Sequence, residues 1–260
     1  LSVLRRQLEF NRLIPEWANS QNVREVIPAL LAGRWIDNCE DDIRIIEYFA
    51  NEPYNNYIAK LKKWLYSADA PIVQIGNSWR LTSPLDAWTY AGKYCTQSDL
   101  AKLEEMYLGI FSKIDPSFEI PTEERQHLFV NKKTTYSRWI REGLVQNIIL
   151  VAEYGDKIEI DLPTAPSTWV DHIISKSLES EDPNLWKSLD YELPLIAEAS
   201  PSAFLTNIER LLSIDNGPIH QLFNEVQGWL DSHSHHTGLL WSLEGLAWMP
   251  EYLSRVTLIL

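Results

Sequence analysis

The sequence predicts a mainly α-helical chain that opens with a winged helix-turn-helix carrying one β-hairpin and continues as an irregular array of helical hairpins. Three observations carry this. Apolar residues recur at helical spacing through most of the chain. One segment, PIVQIGNSWRLTSP (71–84), alternates apolar and polar residues around Gly76-Asn77, as a hairpin does. From Trp88 onward, helical patterns of ~10–20 residues are punctuated by Pro or Gly, the spacing of helix-hairpin arrays. The expected organisation is a connecting helix over 1–20 that leads in from an N-terminal domain, a winged-helix domain over 21–92 and an α-helical repeat-like domain over 93–260.

The elements follow in order. VREVIPALLAG (23–33) places Val23, Val26, Ile27, Leu30 and Leu31 on one helix face and closes on Gly33. EDDIRIIEYFAN (40–51) repeats the pattern, and its acidic opening suits the positive end of a helix dipole. Pro53 breaks it, and YNNYIAKLKKWLYS (54–67) aligns Tyr54, Ile58, Leu61 and Leu65. The hairpin follows as the wing. Downstream helices are expected over 96–114, 134–154, 167–178, 182–199, 200–213, 218–230 and 236–248, several opening on Ser-Pro or Asp-Pro. KIEIDLP (157–163) alternates like a strand but has no evident partner, so a strand and an extended loop both stay open.

Composition excludes several classes. Of 260 residues, 45% are hydrophobic and 23% charged, the balance of a folded chain rather than a disordered one. No apolar run approaches the ~20 residues that cross a bilayer, so no membrane partner is expected. Cys39 and Cys95 are the only cysteines and have neither metal nor disulfide-framework spacing, which fits a reducing, cytoplasmic setting. LSVLRRQLEF at the start has no initiator Met, and EYLSRVTLIL at the end has no polar cap. Both ends read as cut, so the chain reads as an internal segment of a longer polypeptide.

Charge divides the chain. Residues 1–88 carry 10 Lys and Arg against 11 Asp and Glu, whereas 89–260 carry 13 against 25. A surface that acidic repels phosphates, whose attraction dominates nucleic-acid affinity. In the winged segment, Lys60, Lys62 and Lys63 on the third helix and Arg80 on the wing are the candidate nucleic-acid contacts. Residues 23–88 nevertheless hold 7 Lys and Arg against 9 Asp and Glu, a slightly acidic module where a DNA reader shows a basic face. Tyr54, Tyr57, Trp64 and Tyr66 add aromatic surface suited to packing against protein.

Catalytic signatures are missing. The chain has no G-x-x-x-x-G-K-S/T or G-x-G-x-x-G phosphate loop, no G-x-S-x-G elbow and no H-E-x-x-H. DSHSHHTG (231–238) gathers His233, His235 and His236 beside Asp231, but between two helices, where an inter-helix loop is the plainer account than a metal site. SLESEDPN (177–184) reads as a solvated acidic loop. The recurring tryptophans, Trp139, Trp169, Trp186, Trp229, Trp241 and Trp248, fit either buried wedges between helices or exposed protein-binding anchors.

The phrases LSVLRRQL, VREVIPALLAGRW, GNSWRLTSPLDAW, LWKSLDYELPLIAEASPSAFL and HTGLLWSLEGLAWMPEYLSRVTLIL together resemble the region that follows the ATPase core in large bacterial STAND NTPases of the Avs-like antiviral defence type. The resemblance spans nearly the whole chain as loosely defined phrases. It implies a winged helix packed on the nucleotide-binding core, followed by helical repeats that sense a ligand. Arg5 and Arg6 match the basic pair after that core, facing nucleotide or, preferably, pairing with acidic neighbours. Arg34 and Trp35, with Trp79 and Arg80, match the winged module and are expected to pack between domains. Walker motifs and an effector domain are absent, so ATP and Mg would belong to the parent protein and no cofactor is assigned to this segment. The expectation is a non-catalytic regulatory and sensor segment. Its partner is a protein or the rest of its own chain, with oligomerisation a property of the full-length protein. The alternative is a winged-helix DNA-binding transcriptional regulator with a helical sensor.

Overall fold

The computed structural model describes residues 14–19, 23–67, 69–119, 135–224 and 234–260. The protein is mainly helical with one three-stranded antiparallel sheet. It divides into two compact units, Leu1–Met106 with Tyr136–Ser167 and Tyr107–Thr135 with Thr168–Leu260. Arg5 and Arg6 lie outside the described residues. Among the described residues no helix is long and apolar enough to cross a membrane.

In the first unit, a 3-10 turn over Val23–Val26 runs into helix α1, Ile27–Ala32. Every α1 residue is buried, and Gly33 closes it at φ 71°, a left-handed conformation that glycine adopts without steric cost. Strand β1, Arg34–Ile36, follows directly. Helix α2, Glu40–Ala50, buries Ile45, Ile46 and Phe49 and ends at Asn51, also left-handed. Helix α3, Tyr54–Leu61, buries Tyr57, Ile58 and Leu61, then tightens into a 3-10 turn over Lys62–Tyr66. The hairpin is strands β2, Ile72–Ile75, and β3, Ser78–Leu81. Its two-residue loop has a positive φ at Gly76 alone (59°), the pattern of a type II′ turn with glycine in first position. The expected hairpin gains a third strand, because β1 pairs with β3 and the sheet order is β1-β3-β2.

Helix α4, Pro84–Ala91, starts on Ser83, whose hydroxyl accepts the Asp86 N–H. Helix α5, Gln97–Phe111, starts on a reciprocal cap. Thr96 Oγ1 accepts the Asp99 N–H at 3.2 Å, and Asp99 Oδ2 accepts the Thr96 N–H at 2.8 Å. Burial of Asp99 disfavours its charge, but the Thr96 bonds and Arg24, 3.1 Å away, outweigh it and hold the carboxyl below its ordinary range. A carboxylate depressed in the folded state stabilises above its unfolded pKa and loses that stabilisation as pH falls through the folded value. Asp99→Asn is therefore expected to cost about 1 kcal/mol at pH 7. That difference should narrow as acid unfolding is followed below about pH 4, where wild type loses the same advantage.

Helix α6, Arg138–Ile158, begins on Ser137, whose hydroxyl accepts the Ile140 N–H. It runs through the start of KIEIDLP: Glu159 turns left-handed at φ 58°, and Ile158 and Ile160 are both buried around the helix end. The apolar alternation there belongs to a helix terminus followed by irregular chain, not to a strand. Helix α7, Pro166–Ser177, follows.

The second unit holds helices α8 (Pro183–Ser188), α9 (Leu193–Ala199), α10 (Pro201–Leu212), α11 (Pro218–Phe223), α12 (Thr237–Ala247) and α13 (Pro250–Ile259). Proline opens α8, α10, α11 and α13, where its missing N–H has no helical acceptor to lose. The helix expected over 182–199 is two helices. Pro194 has no N–H for the Asp190 carbonyl four residues back, so the ladder cannot continue across Leu189–Glu192. Helix α12 packs against α9 and α13, and α10 against α9, α11 and α13. The expected continuation of α11 to residue 230 lies outside the described residues.

Candidate functional site

Four of the residues singled out in the sequence, Arg34, Trp35, Trp79 and Arg80, lie on the sheet of the first unit. Trp35 and Trp79 are directly paired across β1 and β3, and their rings stack at 5.7 Å with an interplanar angle of 1°. Both are wholly buried. Their indole N–H groups are satisfied by one polar cluster. Trp79 Nε1 donates to Asp37 Oδ2 at 2.8 Å, and Trp35 Nε1 donates to the Tyr54 hydroxyl at 3.0 Å. Tyr54 donates in turn to Asp37 Oδ1, and Gln74 Nε2 donates to Oδ2 at 3.1 Å. Burial, reinforced by the Asp37 carboxylate, pushes the Tyr54 phenol far above its ordinary pKa, so it stays a donor. The two tryptophans expected to pack between domains instead complete the core of their own module and offer no surface to a partner.

Arg34 behaves differently. Its guanidinium pairs with Glu142 at 2.9 Å, donates to Gln146 at 2.8 Å and lies 5.6 Å from the Trp139 ring centroid, all on α6. It therefore joins β1 to a helix that the sequence pattern assigned to the downstream array, yet that helix belongs to the same compact unit. Arg80 projects from β3 on the same sheet face as Arg34, is exposed, and has no partner among the described residues.

The contact between α1 and α6 depends on two small features. Only glycine fits at Gly143, because a Cβ there would fall 2.3 Å from the Ala32 carbonyl oxygen. One turn along, the buried Asn147 Nδ2 donates to the Leu30 carbonyl at 2.9 Å and the Leu31 carbonyl at 2.6 Å. Its Oδ1 accepts the Trp88 indole N–H at 2.9 Å. Asn147 thus caps the C-terminal carbonyls of α1 from another helix, where a six-residue helix has no partners of its own. Asp42, also fully buried, accepts the Ile36 N–H at 3.0 Å and the Ser137 N–H at 2.9 Å, tying α2 to the start of α6.

The candidate nucleic-acid contacts are mostly committed within the module. Lys60 pairs with Glu52 at 2.7 Å. Lys63 pairs with Glu25 and lies over the Trp64 ring. Lys62 is exposed and has no partner among the described residues. Sequence reasoning missed Asp37, Tyr54's hydroxyl role and Asn147, which acquire meaning only through contacts 17 to 117 residues apart.

In the second unit the tryptophans separate into two groups. Trp169 and Trp186 are buried, whereas Trp241 and Trp248, 64% and 82% exposed, share one stripe of α12 and its end with Gly245. In the first unit Trp139 is partly exposed. Trp229 and His233 lie outside the described residues. His235 packs edge-on to Phe118, and His236 stacks on Phe223 with Nδ1 2.8 Å from Ser234 Oγ. Among the described residues no three His, Cys, Asp or Glu side chains are placed to hold a metal ion.

No protein family matches the chain, and no curated protein or solved structure matches it.

Proposed function

We propose that the chain is a non-catalytic regulatory and sensor segment of a larger STAND-type NTPase of antiviral defence. In this reading a winged helix packs on the ATPase core and the helical part binds a protein partner. The order helix, strand, helix, helix, strand, strand, with β3 central in the sheet, supports the winged-helix assignment. One observation favours protein over DNA as the module's partner: on the third helix and its 3-10 extension, Lys60 and Lys63 are neutralised by Glu52 and Glu25. Phosphate affinity comes from releasing counterions with free cations, and paired lysines contribute little to it. Exposed Trp241 and Trp248 supply the large rigid aromatic surface that protein interfaces favour. The mechanism is a population shift, in which partner binding stabilises one arrangement of the parent protein over another.

The exposed Lys62 and Arg80 favour the second reading, a DNA-binding regulator, and a DNA titration separates the two. The STAND part of the proposal has its own test in the parent reading frame. A phosphate-binding loop of the G-x-x-x-x-G-K-S/T type is expected upstream of Leu1. A complete frame without one would contradict it.

A further inference from the structure

One pattern, W-x-x-E-G-L, occurs twice in the chain, at 139–144 in α6 and at 241–246 in α12. Both copies bury the second and sixth positions, Ile140 and Leu144 in one, Ser242 and Leu246 in the other. The tryptophan, the glutamate and the glycine, at i, i+3 and i+4, therefore share one face of each helix, set alike against the core. In α6 that face is filled. Arg34 lies 5.6 Å from the Trp139 ring centroid and pairs with Glu142 at 2.9 Å. Its backbone crosses Gly143 so closely that a Cβ there would fall 2.9 Å from the Arg34 nitrogen.

In α12 the same face is open. Trp241 is 64% exposed, Glu244 is exposed with no partner among the described residues, and a Cβ on Gly245 would meet nothing within 4 Å. The next position of the stripe differs. Where α6 has Gln146, which accepts a second N–H of Arg34 at 2.8 Å, α12 ends at Trp248, 82% exposed. Helical rise sets the Cα atoms of Trp241 and Trp248 about 10 Å apart along the axis. With the rings spaced likewise, a cation between them lies about 5 Å from each, within the ~6 Å reach of a cation–π contact. The last turn of α12 is also the negative end of its dipole. Residues 234–260 supply no free cation: Arg255 is their one Lys or Arg, and both Glu209 oxygens hold it at 2.8 Å.

We propose that this face of α12 binds an arginine carried on an extended segment of a partner protein, held as α6 holds Arg34. The guanidinium stacks on Trp241, with Trp248 on its other side, and donates to the Glu244 carboxylate, while Gly245 admits the segment's backbone. Arginine suits this better than lysine, because a planar guanidinium stacks on a ring and donates in its own plane at once. A second copy of the chain fits poorly. Two α12 helices paired about a twofold axis centred on the stripe bring Glu244 against Glu244, like charges with no cation between them. The proposal rests on the reading of the helical part as protein-binding and gives that partner a chemistry.

The test selects phage-displayed random dodecapeptides on the full chain and discards those that also bind Trp241→Ala. The best binder is synthesised with fluorescein and titrated by anisotropy. It is expected to contain an arginine whose replacement by lysine weakens binding roughly tenfold, as loss of stacking and of the planar fork does. Glu244→Gln and Gly245→Leu should each weaken binding to a similar degree, roughly tenfold. Both positions are exposed, so circular dichroism should show the fold retained. Glu251→Gln, an exposed carboxylate outside the repeated pattern, should bind within about twofold of wild type. Binders that need Trp241 but contain no arginine, or that ignore Glu244→Gln, overturn this site and leave the protein-partner reading standing. If no binder depends on Trp241, the site falls, and with it the support that Trp241 and Trp248 lend to that reading. Dimerisation in sedimentation that Trp241→Ala abolishes would also overturn the site, as would binding to phosphatidylcholine vesicles through Trp241.

Discussion

Asn147→Leu is expected to lower the melting temperature of the first unit by about 10 °C, although leucine has nearly the same shape and volume. The side chain is buried and makes three hydrogen bonds, to the carbonyls of Leu30 and Leu31 and from the indole of Trp88. A wild-type hydrogen bond contributes little net stability, but a buried partner left unsatisfied costs roughly 1–3 kcal/mol. Leucine orphans three such groups in one place, so the loss is about 3–5 kcal/mol. Because α1 has only six residues, it cannot hold itself without that cap. Thermal unfolding by circular dichroism gives the shift, and amide exchange should show α1 opening first. Asn147→Asp tests the same point differently: it keeps an acceptor for Trp88 but sets a carboxylate against two carbonyl oxygens.

The second large effect is a matched pair on α12. Gly238→Ala is expected to destabilise the second unit by about 3 kcal/mol, and Gly245→Ala to leave it unchanged or more stable by about 0.5–1 kcal/mol. A Cβ on Gly238 would fall 1.9 Å from the Asp190 carbonyl oxygen and 2.6 Å from its Oδ1. Both are part of a fixed turn, and the Gly238 N–H already donates to that carboxylate at 2.7 Å. The alanine must push α12 off the Asp190 turn and lose this bond. A Cβ on Gly245 meets nothing within 4 Å, so there alanine only restricts the unfolded chain. Denaturant melts of the two variants read opposite signs for one substitution in one helix.

What the sequence showed follows from range. Local signals were legible: the acidic start of Glu40–Ala50 and the Gly76-Asn77 hairpin, whereas the apolar face of that helix, expected at Ile43, Ile46, Tyr48 and Phe49, is centred on Ile45, Ile46 and Phe49. Proline-opened helices such as Pro201–Leu212 were legible because a proline's missing N–H is a local fact. The strand Arg34–Ile36 was not, since three residues are too few to show alternation and their state is set by pairing with β3. The break at Pro194 was masked by an apolar pattern that continues across it. The site itself was legible only in part. Trp35 and Trp79 stood out by residue type, but their environment depends on Asp37, which has no periodic signature, and on the Tyr54 hydroxyl, whose role its place in a helical pattern does not reveal.

The partners of the lysines are what bear most on function, because the same residues would serve DNA if left unpaired. The direct measurement is a titration of a fluorescein-labelled 30-base-pair duplex with the full chain in 50 mM salt, followed by anisotropy. The account predicts no saturation up to tens of micromolar protein, which places any binding at or beyond the weak end of the non-specific affinities of about 10⁻⁴–10⁻⁶ M typical of DNA-binding proteins. Sub-micromolar binding that falls steeply with salt, and falls further in Lys62→Ala or Arg80→Ala, would contradict it.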